Sequence, residues 1–199
     1  MEKQNRERIY CVTGASGYVG GRLVRDLLND GKRVRVFVRD AKKIQGQSWA
    51  DYVEIVEGNA SNSDDLDRAL NGVHTAYYLL HSINVATDFG DIEAAMARGF
   101  AEAAARAEIA QIVYLGGIAN DENRSRHLTS RMNTGTQLAS GPTPVLELRA
   151  GIIIGSGSAS FEMLRHLTHR LPIMTTPKWV SNRTQPIAVR DVLYYLRSA

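Results

Sequence analysis

Three glycines spaced G-x-x-G-x-x-G lie between a short apolar run and a helical pattern, in Val12-Thr13-Gly14-Ala15-Ser16-Gly17-Tyr18-Val19-Gly20-Gly21. No other stretch limits the fold as much. The preceding run, Ile9-Tyr10-Cys11-Val12, reads as a buried strand, and Val19, Leu23, Val24, Leu27 and Leu28 line one side of the helix that follows. Gly14 permits a sharp turn after the strand. Gly17 removes a side chain where a phosphate must approach, and Gly20 lets the helix pack closely on the sheet. A turn of this kind brings backbone N–H groups against the pyrophosphate of a dinucleotide. Thr13 and Ser16 offer hydroxyl donors, and Tyr18 and Val19 complete the candidate phosphate-binding set at the helix start.

Apolar, β-rich runs then alternate with helical patterns. The runs are Ile9–Val12, Val34–Val38, Val53–Val56, Ala76–Leu80, Ile112–Leu115 and Val145–Leu148. After the first helix, which Asn29-Asp30-Gly31 stops with Gly31 as left-handed C′ residue, helices are predicted over Ser63–Leu70, Asp88–Ala107, Ser125–Ala139 and Ser160–Leu171. Asn62 or Ser63 caps the second. Runs without polar alternation predict strands buried on both faces. The expected fold is therefore α/β: a Rossmann-type, doubly wound parallel sheet with helices on both faces and right-handed crossovers. The 199 residues fit one domain, with 151–199 forming a small C-terminal segment at a substrate cleft. The closing pattern Asp191–Ala199 meets no stop signal, so a further C-terminal part is expected.

Composition narrows the function classes. A net charge of +3, spread along the chain, gives no basic patch for nucleic acid, and none is expected as a partner. The lone Cys11 allows neither an intrachain disulfide nor a cysteine-rich metal site. Five scattered histidines include no His-x-x-x-His pair, so no metal is expected. The charged N-terminus, Met1-Glu2-Lys3-Gln4-Asn5-Arg6-Glu7-Arg8, lacks the apolar centre of a signal peptide, and no run is long enough to insert in a membrane. A cytoplasmic location follows as the expectation.

The end of the second strand bears on which dinucleotide is held. An acidic residue there accepts hydrogen bonds from the adenosine ribose and repels a 2′-phosphate. Here Arg39 comes first after Val38, with Lys42 and Lys43 beyond, so NADP(H) is expected over NAD(H); Asp40, one position later, pulls the other way. Arg39, Lys42 and Lys43 are otherwise ordinary solvated charges. After the third strand, the Asn59 amide either bonds the adenine edge or caps a turn. Lys43, Ala60 and Leu80, at or near these strand ends, join the candidate cofactor-binding residues.

Several stretches resemble the short-chain dehydrogenase/reductase superfamily, in its atypical NmrA-like and nucleoside-diphosphate-sugar-epimerase-like members. They are Ala76-Tyr77-Tyr78-Leu79-Leu80-His81-Ser82, Ile112-Val113-Tyr114-Leu115-Gly116-Gly117, Leu146-Glu147-Leu148-Arg149-Ala150-Gly151, Pro177-Lys178-Trp179-Val180 and Gln185-Pro186-Ile187. The resemblance implies an NAD(P)-dependent oxidoreductase or epimerase-like protein acting on a small molecule. Longer members carry a further C-terminal domain.

The resemblance also implies a Ser or Thr after the fifth strand and a Tyr-x-x-x-Lys pair on the next helix. Here Gly116 and Gly117 stand at the first place, and Ser130-Arg131 resembles Ser-Lys, which puts Arg131 at the Lys position and His127 at the Tyr position. No Tyr-x-x-x-Lys occurs in the chain. Arg131 is expected to bond the nicotinamide ribose, but a guanidinium does not relay protons. His127 is either a general acid or a surface residue, and His81 either faces the nicotinamide or is structural. Phe161, Met163, Trp179 and Gln185 are expected to wall the cleft or to be core. The alternative to an enzyme is a non-catalytic NADPH-sensing or regulatory module of the NmrA type.

Overall fold

The computed structural model describes residues 8–80, 89–118, 125–170 and 185–199. A six-stranded parallel sheet runs through it. Its strands are β1 (Ile9–Thr13), β2 (Arg33–Val38), β3 (Glu54–Glu57), β4 (Val73–Tyr78), β5 (Gln111–Gly117) and β6 (Val145–Ala150). They lie in the order β3-β2-β1-β4-β5-β6, so the winding direction reverses between β1 and β4. In open sheets of this kind, ligands bind at the carboxyl ends of the strands beside that reversal.

Helices cover both faces. Against one face lie α2 (Ser63–Leu70), α3 (Phe89–Arg106) and α4 (Arg126–Leu138), joined through Leu66, Leu70, Phe100, Ala104 and Leu138. Alanines on α3 let it come close, and the Tyr78 ring meets Phe100 edge-on at 5.0 Å. Against the other face lie α1 (Tyr18–Asn29) and α6 (Val189–Ser198), through Leu23, Val24, Leu27, Leu193 and Leu196. Ile44 and Trp49 fill the same layer from the link between β2 and β3, where a helix would otherwise cross. A smaller pair, β7 (Ile153–Ile154) and β8 (Ile187–Ala188), runs parallel, and α5 (Ala159–Arg170) follows β7. Among the described residues, no helix is long and apolar enough to cross a membrane.

Two sequence expectations change. First, β3 and β6 are not buried on both faces: Glu54, Ile55 and Glu57 are exposed on β3, as are Leu146 and Arg149 on β6. Both are edge strands, with a neighbour on one side only. Second, β4 begins at Val73 rather than Ala76, directly after Gly72, and the ladder ends at Tyr78, because the Leu79 amide turns to the Thr13 hydroxyl.

Two caps act where the local sequence placed them, and a third stands at Ser125. Gly31 sits at φ +70° after α1, with Lys32 N–H on the Leu27 carbonyl. The Asn62 side chain accepts from the Asp64 and Asp65 amides, and Ser125 accepts from Leu128. The end of α2 is closed from a distance. Buried Arg35 donates from Nη1 to the carbonyls of Ala69 (2.8 Å) and Asn71 (2.7 Å), and its Nη2 lies 3.0 Å from Glu54.

Candidate dinucleotide site

The glycine turn sits at the reversal point between β1 and β4. Gly14 has φ +69°, and a Cβ there would lie 2.6 Å from the Leu79 carbonyl oxygen. The Gly17 amide closes the turn on the Gly14 carbonyl at 2.9 Å. At Gly20 a Cβ would stand 2.3 Å from that same oxygen, so α1 packs on the turn only as glycine. Gly17 caps α1 without a side-chain hydrogen bond, and Ser16 and Gly17 are exposed. An open helix start that no side chain caps among the described residues fits an anionic ligand, and the amides of Tyr18, Val19 and Gly20 belong to it.

Thr13 is placed otherwise than its hydroxyl suggested. Its Oγ1 donates to the Tyr77 carbonyl (3.0 Å) and accepts from the Leu79 amide (3.0 Å), and the side chain is fully buried. The hydroxyl fastens β1 to the end of β4, and its one proton is committed there.

At the other end of the site, Arg39, Glu57, Gly58 and Asn59 line an open cleft of about 430 Å³. Arg39 is exposed, as are Lys42 and Lys43. The Asp40 carboxylate accepts the Lys42 amide at 2.9 Å, capping the short turn Ala41–Lys43. Glu57 accepts the Ala41 amide at 3.0 Å. Asn59 Oδ1 accepts from the Ser61 amide, so that oxygen serves a local turn. The Asn59 amide donates to Asp65 at 2.8 Å and, with Arg68 also beside it, holds the Asp65 carboxyl below the usual carboxylate range. Ala60 is buried in the core cluster, and Leu80 packs on that same cluster.

The third part lies at the ends of β5 and β6. Arg131, on α4, donates from Nη2 to the Leu115 carbonyl, and a Cβ on Gly117 would lie 3.5 Å from its Nε. That Nε is buried and has no hydrogen-bond partner among the described residues. The Tyr114 hydroxyl donates to the Arg131 carbonyl at 2.8 Å, and Ser130 donates to Glu93 on α3. Gly116 is filled from the side: a Cβ there would stand 2.6 Å from Glu147 Oε1, a carboxylate of β6 that Arg149 pairs at 2.8 Å. His127 lies on α4, one turn before Arg131, and its side chain is outside the described residues, as are His81 and Trp179 altogether. Phe161 is half-buried, whereas Met163 is exposed and so is not core. Gln185 sits at the start of the segment leading to β8, its carbonyl within 2.3 Å of where a Gly151 Cβ would be. Among the described residues no group of three His, Cys, Asp or Glu stands where it could hold a metal ion.

A family model described as NAD(P)H-binding matches residues 14–140, from the glycine turn to the end of α4. The chain belongs to the NAD(P)H-binding family. Among curated relatives, this NAD(P)H-binding chain is 30% identical over 187 residues to the ceramide reductase of Caulobacter vibrioides, covering 92% of this chain and 58% of that protein. It therefore spans little more than half of that relative. Among solved structures it is similar to Pen from Bacillus thuringiensis, with a TM-score of 0.79 at 14% identity, over 98% of this chain and 65% of that one. It is also similar to the Citrobacter sp. triphenylmethane reductase complexed with NADP(H), with a TM-score of 0.64 at 21% identity, over 80% of this chain and 54% of that one. The fold and the reductase relatives agree with the atypical short-chain dehydrogenase/reductase resemblance carried by the motifs.

Sequence reasoning passed over Glu57, Gly58 and Glu147. Glu57 carried a usable signal, an acid at a strand end followed by glycine. At Gly58 a Cβ would meet the Asp65 side chain at 2.8 Å, so this glycine lets α2 close over the end of β3. Glu147 carried none, because its contact with Gly116 crosses from β6 to β5.

Proposed function

We propose that the domain holds NADP(H) in preference to NAD(H) and serves a reductase of the atypical short-chain type. The observation that carries this is the placement of Arg39 and Asp40. Arg39 stands exposed at the cleft, while Asp40, the acid that favours NAD(H), is drawn into its own turn by the Lys42 amide. Arg39 and Lys43 then bond a ribose 2′-phosphate, Asn59 and Ala60 border the adenine, and the start of α1 takes the pyrophosphate. A charge-assisted hydrogen bond contributes about 1.5–3 kcal/mol, which is roughly tenfold or more in preference. Fluorescence titration of wild type should give at least that ratio of NADH to NADPH dissociation constants, and Arg39→Ala should bring it close to one. Equal constants in wild type refute the reading.

A nicotinamide supplies hydride to a carbonyl carbon when bound. In this reading the chain's own task is to orient and to protonate. Arg131, fixed by the Leu115 carbonyl, presents its guanidinium to the ribose hydroxyls; His127 donates the proton to the substrate oxygen, with Leu80 along the nicotinamide side. The kinship with a ceramide reductase makes long-chain carbonyl compounds the first substrates to test, beside small ketones and quinones. NADPH consumption by wild type that is lost in His127→Ala supports catalysis. The second reading, an NADPH sensor, is favoured by the absence of a Tyr-x-x-x-Lys pair. Tight NADPH binding with no turnover across the panel supports it.

A further inference from the structure

Two side chains that follow the glycines fasten a distant segment onto α1. Arg22 donates from Nη2 to the Ser156 carbonyl at 3.0 Å, and from Nη1 to the Tyr18 carbonyl at 3.1 Å. Its guanidinium carbon lies 3.9 Å over the Tyr18 ring. The Tyr18 hydroxyl is shut from solvent without a partner among the described residues, against Gly155, where a Cβ would stand 2.5 Å from the oxygen. The segment itself is tied internally. The Ser158 hydroxyl donates to the Ile153 carbonyl (2.9 Å), the Ser158 amide to the Gly155 carbonyl (3.0 Å), and the Gly157 amide to Glu162 (3.3 Å). Residues 155–158 thus form a small unit that meets α1 along a seam.

The two residues of the seam act in opposite directions. Arg22 holds it closed through bonds to carbonyls on both sides. The buried, unpaired Tyr18 hydroxyl penalises closure, because opening the seam returns it to water. The net preference of the seam for closure is the difference between these two contributions, and Tyr18 is also the first residue of α1, at the helix start offered to a phosphate.

We propose that Arg22 is a positioning residue that couples occupancy of the glycine turn to closure of the 155–158 segment over the substrate side. The inference rests on the reading of the turn as a dinucleotide site. A phosphate held by the amides of α1's first turn fixes the Tyr18 backbone, and with it the carbonyl and ring on which Arg22 rests. Arg22 then holds Ser156, and the segment read as a cleft wall is held closed more firmly when the cofactor is in place. Coupling of this sort is reciprocal, and commonly amounts to about 5–150-fold between two sites.

Amide hydrogen exchange of 155–158, on the full chain with and without NADPH, tests this. In wild type, NADPH should slow exchange there by about tenfold. Arg22→Ala should speed exchange without cofactor by a similar factor and abolish the protection by NADPH, with β1 amides unchanged. Tyr18→Phe, which removes the unpaired hydroxyl and keeps the ring, should slow exchange without cofactor. A merely structural Arg22 does not predict loss of cofactor-linked protection, nor the opposite sign for Tyr18→Phe. Unchanged exchange in Arg22→Ala, faster exchange in Tyr18→Phe, or NADPH binding that leaves 155–158 unprotected overturns the proposal. Failure of wild type to bind NADPH or NADH in a fluorescence titration instead overturns the dinucleotide reading, and the coupling with it.

Discussion

Two helical glycines should respond to the same substitution with opposite signs. Gly99 lies within α3, and the nearest atom to a Cβ there would be Leu66 Cδ1 at 3.9 Å, an ordinary contact. Gly20 lies in α1, where a Cβ would meet three backbone atoms: Gly14 O at 2.3 Å, Gly14 C at 2.8 Å and Ala15 Cα at 3.1 Å. Alanine gains up to about 1 kcal/mol over glycine in a helix interior. Gly99→Ala should keep most of that gain, raising Tm by about 2–4 °C for a domain of this size. Gly20→Ala forfeits it, since relieving the contact takes a shift of about 1 Å and overpacking costs about 1–3 kcal/mol. The atoms it displaces are those of the glycine turn, where the Gly17 amide rests on the Gly14 carbonyl. NADPH affinity should therefore fall about tenfold or more in Gly20→Ala, equivalent to about 1.4 kcal/mol, and stay unchanged in Gly99→Ala. Thermal unfolding by circular dichroism and cofactor fluorescence titration read the two effects separately. Gly20→Ala as stable as Gly99→Ala, with wild-type NADPH affinity, refutes the claim that this glycine is fixed by backbone contact.

Glu108 has φ +51° and closes α3 with a Schellman pattern, its amide on the Ala105 carbonyl and the Ile109 amide on the Ala104 carbonyl. A left-handed backbone costs a non-glycine residue about 1–2 kcal/mol, so Glu108→Gly should stabilise by about 1 kcal/mol, seen as a higher urea midpoint with an unchanged slope. At alkaline pH the chain should weaken for a specific reason. Burial pushes the Cys11 thiol from its ordinary 9.0 up to about 12, and raises the Tyr77 and Tyr78 hydroxyls as well. The folded state holds these protons more tightly than the unfolded chain. Stability is therefore full below about pH 9 and falls as pH rises toward 12, with Cys11 alone removing about 2 kcal/mol by about pH 10.5. Urea midpoints measured across that range should fall less steeply in Cys11→Val; identical slopes in the two proteins exclude the thiol as a source.

How much of this was legible in the sequence depends on the distance over which each contact acts. The strands announced themselves as apolar runs, and the caps at Gly31, Asn62 and Ser125 are local chemistry. The exposed edges at β3 and β6 depend on strand order, which no run of residues states by itself. The same division holds within the site. Gly14, Gly17 and Gly20 act on one another across a single turn, and their spacing was enough to read them. Thr13 has its partners 64 and 66 residues away, so a hydroxyl beside the turn looked like a phosphate donor and is a fastener between strands.

Arg39 and Asp40 mark the boundary between these cases. Their positions were plain in the sequence, but the direction of the Asp40 carboxylate was not. The Lys42 amide supplies that direction, and it does so from two residues away. Gly116 shows the opposite limit. Read along the chain, it is an empty place where a hydroxyl residue is expected; across the sheet, the tip of the Glu147 carboxylate lies 2.6 Å from where a Cβ would be. A serine at Gly116 would meet the tip of the Glu147 side chain, which has to swing aside to admit it.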